Sequence, residues 1–175
     1  MTNASNARTL RPAREPGEGR DATDDVGDTA TRDYITVTIG NQLFGLPIER
    51  VHDVFRLTGM TPVPLARREI AGVLNMRGRI VTAIDMRRRL DIPAAERTES
   101  PMAVGIEHGG ESYGLVIDEV GDVLRLPISG IEPNPVNLDP RWVRVSGGVQ
   151  RLEGRLLVIL DVERILEMES ESLAA

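Results

Sequence analysis

The chain is written twice, and that limits what it can fold into more than any other feature. Residues 40–57 (GNQLFGLPIERVHDVFRL) align with residues 109–126 (GGESYGLVIDEVGDVLRL) at an offset of 69, with nine of 18 positions identical. The likeness resumes at an offset of 76, where GVLNMRGRIVTAIDMRRRL (72–90) faces GVQRLEGRLLVILDVERIL (148–166). One order of turns and apolar strands met twice means one small fold built twice, with about seven residues inserted between the halves of the second copy. Each copy holds only about 60 residues, a size at which a private core is marginal, so the two copies are expected to share one. Halves this alike are expected to pack side by side around a groove. Positions that differ between them are where a function held by one half is to be sought.

The pattern within each copy is that of short strands. Ile35, Val37 and Ile39 alternate with Thr36 and Thr38, which predicts a half-buried strand closed by a Gly40-Asn41 turn. Further strands are expected near 42–48, 51–57, 70–76 and 79–85, with a tight turn at Arg77-Gly78. The second copy repeats them near 102–107, 112–118, 120–126, 146–152 and 155–160. Five short strands per copy with little helix favour small barrels, because closure removes exposed strand edges. Asp85 is placed to cap one helical turn at Met86–Leu90. Asp161 is placed to cap a short C-terminal helix at Val162–Met168, whose Val162, Ile165 and Leu166 form one apolar stripe. The four-proline segment 127–140 reads as a long loop, either a binding loop or a tolerated insertion.

Composition narrows the function. Only five residues are aromatic (Tyr34, Phe44, Phe55, Tyr113 and Trp142), so the core must be aliphatic. All 21 basic residues are Arg, a bias that fits either a genome rich in G and C or bidentate surface recognition. A net charge of −6 argues against nucleic acid as a partner, since a duplex binder needs a basic face. Without cysteine there is no disulfide, thiolate nucleophile or zinc-thiolate site. No apolar run approaches the roughly 20 residues that span a bilayer, and the N-terminus lacks the apolar core of a signal peptide. A cytoplasmic protein with no direct membrane insertion is expected. Residues 1–32 hold only Leu10 and Val26 from the large aliphatic set and are expected to be a disordered tail, with residues 169–175 a flexible C-terminus. The folded part is then 33–168, with copy one at about 34–90 and copy two at about 102–166.

No catalytic constellation is visible. His52 and Asp53 are strand neighbours, expected on opposite faces, and His108 precedes an exposed turn. The glycines of GIEHGGESYG lie in a strand-turn-strand pattern with no helix N-terminus or lysine to hold phosphate. Asp53/Asp122 and Asp85/Asp161 recur in both copies, which suggests structural duties. No cofactor or metal is expected. What remains is a surface: Arg77, Arg79, Arg87, Arg88 and Arg89 flank one edge of the first copy. Arg77 is replaced by Glu153 in the second copy, and Asn75 by Arg151. Two readings stand, solvated turn residues or a recognition tip for an acidic or carbonyl-rich partner.

The same residues carry a family likeness. LNMRGRIVTAIDMRRRL (74–90) resembles the NxRG-x-hydrophobic-D-x-R pattern of the CheW family of bacterial chemotaxis coupling proteins. FGLPIERVHDV, YGLVIDEVGDVL and a closing LVILDVERIL extend the resemblance, in the family's order, over about residues 33–168. The resemblance implies an all-β fold of two five-stranded SH3-like barrels around a common core, with strands able to cross between barrels. It further implies a non-enzymatic adaptor that couples the cytoplasmic tips of transmembrane chemoreceptors to the histidine kinase CheA, through the kinase's own CheW-like domain. Its location would be cytoplasmic, at membrane-associated receptor arrays. The chain has room for neither a kinase nor a receiver domain and so looks like the stand-alone adaptor. An alternative keeps the adaptor but places it in a non-flagellar pathway controlling pilus motility, second-messenger synthesis or development. The family's receptor contacts map onto Val51, Asp53, Gly72, Asn75, Arg77 and Gly78. Where the family usually pairs a Glu with the Arg of NxRG, this chain has Asp53, one methylene shorter.

Overall fold

The structure is a computed structural model that describes residues 30–94 and 101–168. Its ten strands are β1 (Thr31–Ile39), β2 (Gln42–Pro47), β3 (Val51–Arg56), β4 (Ile70–Met76), β5 (Arg79–Asp85), β6 (Met102–His108), β7 (Glu111–Ile117), β8 (Glu119–Pro127), β9 (Ser146–Leu152) and β10 (Arg155–Leu160). Every strand expected from alternation and turn residues is present. The first begins at Thr31, two residues before the expected start of the folded part, and pairs there with Pro127 of β8. Of the tail expected over residues 1–32, Thr31 and Arg32 are strand, while residues 1–29 and the C-terminus after Met168 lie outside the described residues.

Assembly of these strands corrects the expectation of two halves lying side by side. One sheet has the order β8-β1-β2-β10-β9 and the other β3-β6-β7-β5-β4. The repeats have exchanged hairpins: β1–β2 of the first copy completes the sheet of β8, β9 and β10, and β6–β7 of the second completes that of β3, β4 and β5. The seams are parallel pairs, β2 on β10 and β5 on β7. Each SH3-like unit thus contains both copies, and neither copy is a unit by itself.

Three apolar clusters follow from this exchange. The largest lies between the sheets and draws on both copies, with Val37, Phe44, Leu46, Ile106, Leu115, Val158 and Leu160 fully buried. A small cluster (Tyr34, Leu126, Leu157, Ile159) fills the concave side of one sheet, and Leu74, Val81 and Ala83 that of the other. β1 is therefore covered on both faces, not half-buried as its alternation suggested. Thr36 is buried, and its hydroxyl donates to the Asp122 carbonyl at 2.7 Å, which offsets the cost of dehydrating it.

The same crossing device curls both sheets. The chain leaving β3 returns so that Thr61 of the connector bridges Val73 of the edge strand β4, and Glu132 bridges Val149 of β9 in the other sheet. At each crossing sits a glycine. A Cβ on Gly72 would stand 2.5 Å from the Thr61 carbonyl oxygen, and one on Gly148 2.8 Å from that of Glu132. No other residue fits without moving backbone.

Helices are short. Asp85 caps α1 (Met86–Arg89) by accepting the Arg88 amide, and Asp161 caps α3 (Val162–Leu166) by accepting that of Arg164. Val162, Ile165 and Leu166 of α3 are buried as a stripe against the shared core. The loop expected over 127–140 hides structure at both ends, a 3-10 turn at Ile128–Gly130 and the helix α2 (Pro140–Val143) capped by Asp139. Asp-Pro at the N-cap and first helical position was the available signal. The bidentate pair Arg87–Asp118 ties α1 to the corner between β7 and β8, and Asp118 also accepts the Gly40 amide at 2.7 Å.

Candidate protein-interaction site

The β4–β5 hairpin presents the NMRG tip. Met76 pairs with Arg79 across a two-residue loop, and both loop residues have positive φ, 52° at Arg77 and 82° at Gly78. That is the type I′ pattern, whose twist matches the strands it joins. Gly78 takes it without strain, while Arg77 carries a Cβ into the left-handed region. The Asn75 side chain holds the turn, its Oδ1 accepting the Gly78 amide at 3.0 Å. In the second copy Arg151 stands in place of Asn75 and pairs with Glu132, and only Gly154 of the Glu153-Gly154 turn has positive φ. The copies therefore differ at this tip in backbone shape as well as in charge.

Beside the tip is a cleft of about 200 Å³ lined from both edges of the curled sheet, with β3 supplying His52, Asp53 and Phe55 and the tip hairpin Met76, Arg77 and Arg79. Its floor comes from β6 and β7, including Gly105, Glu107 and Tyr113. The walls are apolar below and charged at the rim. Arg79 donates to Glu107 at 2.6 Å, and His52 Nε2 lies 3.6 Å from the other oxygen of the same carboxylate. Arg77 is exposed and makes no ion pair among the described residues.

Four of the six residues mapped from the family likeness have structural work, three of them in the backbone and one in the core. Gly72 permits the Thr61 crossing, while Asn75 and Gly78 build the turn. Val51 packs against the shared core. The other two, Asp53 and Arg77, line the same cleft but form no ion pair with each other. Asp53 Oδ1 instead accepts the amide of Val54 at 2.8 Å.

Sequence reasoning missed His52. Strict alternation placed it away from Asp53, but the β3–β6 register slips between Val51 and Asp53, so His52 is the extra residue of a bulge and lines the cleft with its neighbour. A signal existed: the second copy has Gly121 at that position. Phe55, Arg79 and Glu107 were likewise invisible as a group, because they converge only when the sheet curls. Among the described residues no cluster of His, Asp or Glu is placed to hold a metal ion, and no helix is long and apolar enough to cross a membrane.

Comparisons with known proteins agree with this architecture. The chain is 29% identical over 147 residues to a protein of Klebsiella aerogenes named chemotaxis protein CheW, covering 84% of this chain and 89% of the relative. It is 28% identical over 140 residues to chemotaxis protein CheW of Bacillus subtilis, covering 80% and 90%. Its fold matches the crystal structure of the scaffolding protein TtCheW from Thermoanaerobacter tengcongensis with a TM-score of 0.72 at 24% identity, over 79% of this chain and 89% of the other. The CheW-like domain model matches residues 33–170. With that match across most of its length, over the exchanged repeats and the NMRG tip just described, the chain belongs to the CheW-like domain family.

Proposed function

We propose that this chain is the coupling adaptor of a chemotaxis array, holding the cytoplasmic tips of chemoreceptors and the histidine kinase CheA in one complex through the kinase's CheW-like domain. The family is one of scaffolds and not of enzymes, and the chemistry fits: Arg79 and His52 share the Glu107 carboxylate and Asp53 accepts a backbone amide. Rigidity is what the fold supplies. Because both sheets pack on one shared apolar cluster built from both copies, turning one sheet against the other would disrupt that core. Partners bound to different sheets are thereby kept at a fixed spacing and angle.

The observation that carries the receptor reading is the asymmetry of the tip. The Arg77 guanidinium, with no ion pair among the described residues, stands at the rim of a partly apolar cleft in one copy only, and Asp53 lines the same cleft. Such a rim and cleft suit a helical receptor tip that offers a carbonyl or carboxylate to the guanidinium fork and an aliphatic side chain to Phe55 and Met76. Asn75, Gly72 and Gly78 act by shaping this surface. Arg77→Glu tests the reading, because the side chain has no partner to lose among the described residues. Its melting temperature should stay at the parent's value while co-sedimentation with receptor-bearing vesicles weakens about 30-fold, or about 2 kcal/mol. Undiminished co-sedimentation of a folded Arg77→Glu would remove Arg77 from the receptor surface.

A further inference from the structure

The two SH3-like units share one plan but are filled differently on their concave sides. The unit of β8, β9 and β10 has Tyr34, Thr36, Leu157 and Ile159 there, all buried. At the repeat-equivalent positions the unit that carries the tip has Ala103, Gly105, Val81 and Ala83, each a smaller residue. Phe55 in place of Leu124 restores only part of the lost volume. The space that results is the cleft beside Arg77, and Gly105 lies on its floor.

Neither backbone nor packing requires glycine at position 105. Its φ is not positive. A Cβ there would meet the Asp53 carbonyl oxygen and the Phe55 ring at 3.5 Å, ordinary contact distances, whereas one on Gly72 would strike backbone at 2.5 Å. A glycine inside a strand weakens it, and often marks a close approach by a ligand or another backbone. The twin unit shows what can fill this space. Thr36 occupies the position of Gly105 and donates its hydroxyl to the Asp122 carbonyl at 2.7 Å. The bulge that carries His52 recurs there, with the β1–β8 register slipping between Ile35 and Val37 and Gly121 at the position of His52. A Cβ on Gly121 would stand 2.5 Å from the Thr36 hydroxyl oxygen. Threonine on the floor thus excludes a side chain at the bulge. The unit with the tip makes the opposite choice, a bare floor at Gly105 and a side chain at His52 on the rim.

We infer that Gly105 is a specificity-determining residue of the tip cleft: the space above it receives one branched aliphatic side chain of the docked receptor and sets how large that side chain can be. This rests on the receptor reading given above and adds to it the residue that selects the partner. Phe55, Met76 and Val81 wall the space. An aliphatic side chain gains from burial against them, whereas a polar one would shed water with little in return. The charged groups of the rim are engaged elsewhere, Arg79 with Glu107 and Asp53 with the Val54 amide.

The test is co-sedimentation of full-chain variants with receptor-bearing vesicles, read beside their melting temperatures. Gly105→Ala puts one methyl group into the cleft. It should melt at or above the parent, because alanine leaves the unfolded chain less freedom, and bind about tenfold more weakly. His52→Gly/Gly105→Thr copies the twin unit, with the new hydroxyl placed to donate to the Asp53 carbonyl as Thr36 does to that of Asp122. It should bind at least about tenfold more weakly than His52→Gly alone. Among receptors whose tip leucines, isoleucines and valines are shortened one at a time to alanine, one should bind Gly105→Ala as well as it binds the parent chain. Parent-level binding by Gly105→Ala and no loss in the double variant would overturn the inference, and the receptor reading would survive if Arg77→Glu still lost binding. A Gly105→Ala protein melting several degrees below the parent would also overturn it, since packing would then account for the glycine. Absence of binding by the parent chain itself would remove the receptor reading and this inference with it.

Discussion

Arg77→Asn should make the protein more stable and less able to bind receptors. Arg77 occupies the first loop position of a type I′ turn at φ 52°, where an L-residue with a full side chain is disfavoured by about 1–2 kcal/mol. Asn enters this region several times more readily, and Asn-Gly is the preferred pair for such a turn. Little is lost in exchange, since the Arg77 guanidinium is exposed, has no ion pair among the described residues and strands no buried partner there when removed. Unlike a change to glycine, Asn adds little freedom to the unfolded chain. The net gain is about 0.5–1 kcal/mol, or a rise of about 2–4 °C in melting temperature for a domain of this size. Asn75→Ala is the companion. It removes the acceptor of the Gly78 amide and should cost about 0.5–1.5 kcal/mol. Thermal and urea unfolding give the stabilities, and vesicle co-sedimentation the binding. An Arg77→Asn protein that melted below the parent would refute the strain argument. One that melted higher and bound receptors as tightly would refute the view that strain is tolerated here for recognition.

Other expectations follow from packing and charge. Gly72→Ala should cost about 3 kcal/mol in urea unfolding, because its Cβ would stand 2.5 Å from the Thr61 carbonyl oxygen; a loss under about 0.5 kcal/mol would mean the crossing relaxes freely. Arg87→Ala should cost about 1–3 kcal/mol, between exposed and buried ion pairs, since Arg87 and Asp118 keep only 19% and 23% of their side chains exposed. A double-mutant cycle with Asp118→Ala should show coupling of about 1 kcal/mol, and its absence would reduce the pair to packing. The Arg141 guanidinium and amide hold the Asp139 carboxyl down at about 2. A depressed folded-state value means that its contribution is complete above the unfolded value near 4 and is lost as pH falls through about 2. Melting temperature should therefore fall between about pH 4 and pH 2, less steeply in Asp139→Asn; identical slopes would exclude this pair as a source of acid sensitivity.

Much of the fold was legible because strand alternation, glycine turns and N-cap aspartates are local. Ile35, Val37 and Ile39, the Arg77-Gly78 turn and the caps at Asp85 and Asp161 depend on residues only a few positions apart. The duplication was equally readable, and with it the tip at which the copies part. What failed was inference about faces. Thr36 is buried because the sheet curls over it, and His52 turns into the cleft because the β3–β6 register slips by one residue. Neither curl nor slip has a signature within a single strand.

The order of residues is enough to establish that one small β fold occurs twice and that only one copy carries an Asn-Met-Arg-Gly tip. Tertiary structure alone decided which strands share a sheet. A hairpin's apolar pattern satisfies its own copy or its twin equally well, and only long-range pairing, β2 on β10 and β5 on β7, selects the exchanged arrangement. That choice brings Asp53 and Arg77 of one copy to a single cleft with Gly105 of the other, since residues far apart in the chain become neighbours only once the sheets are assembled.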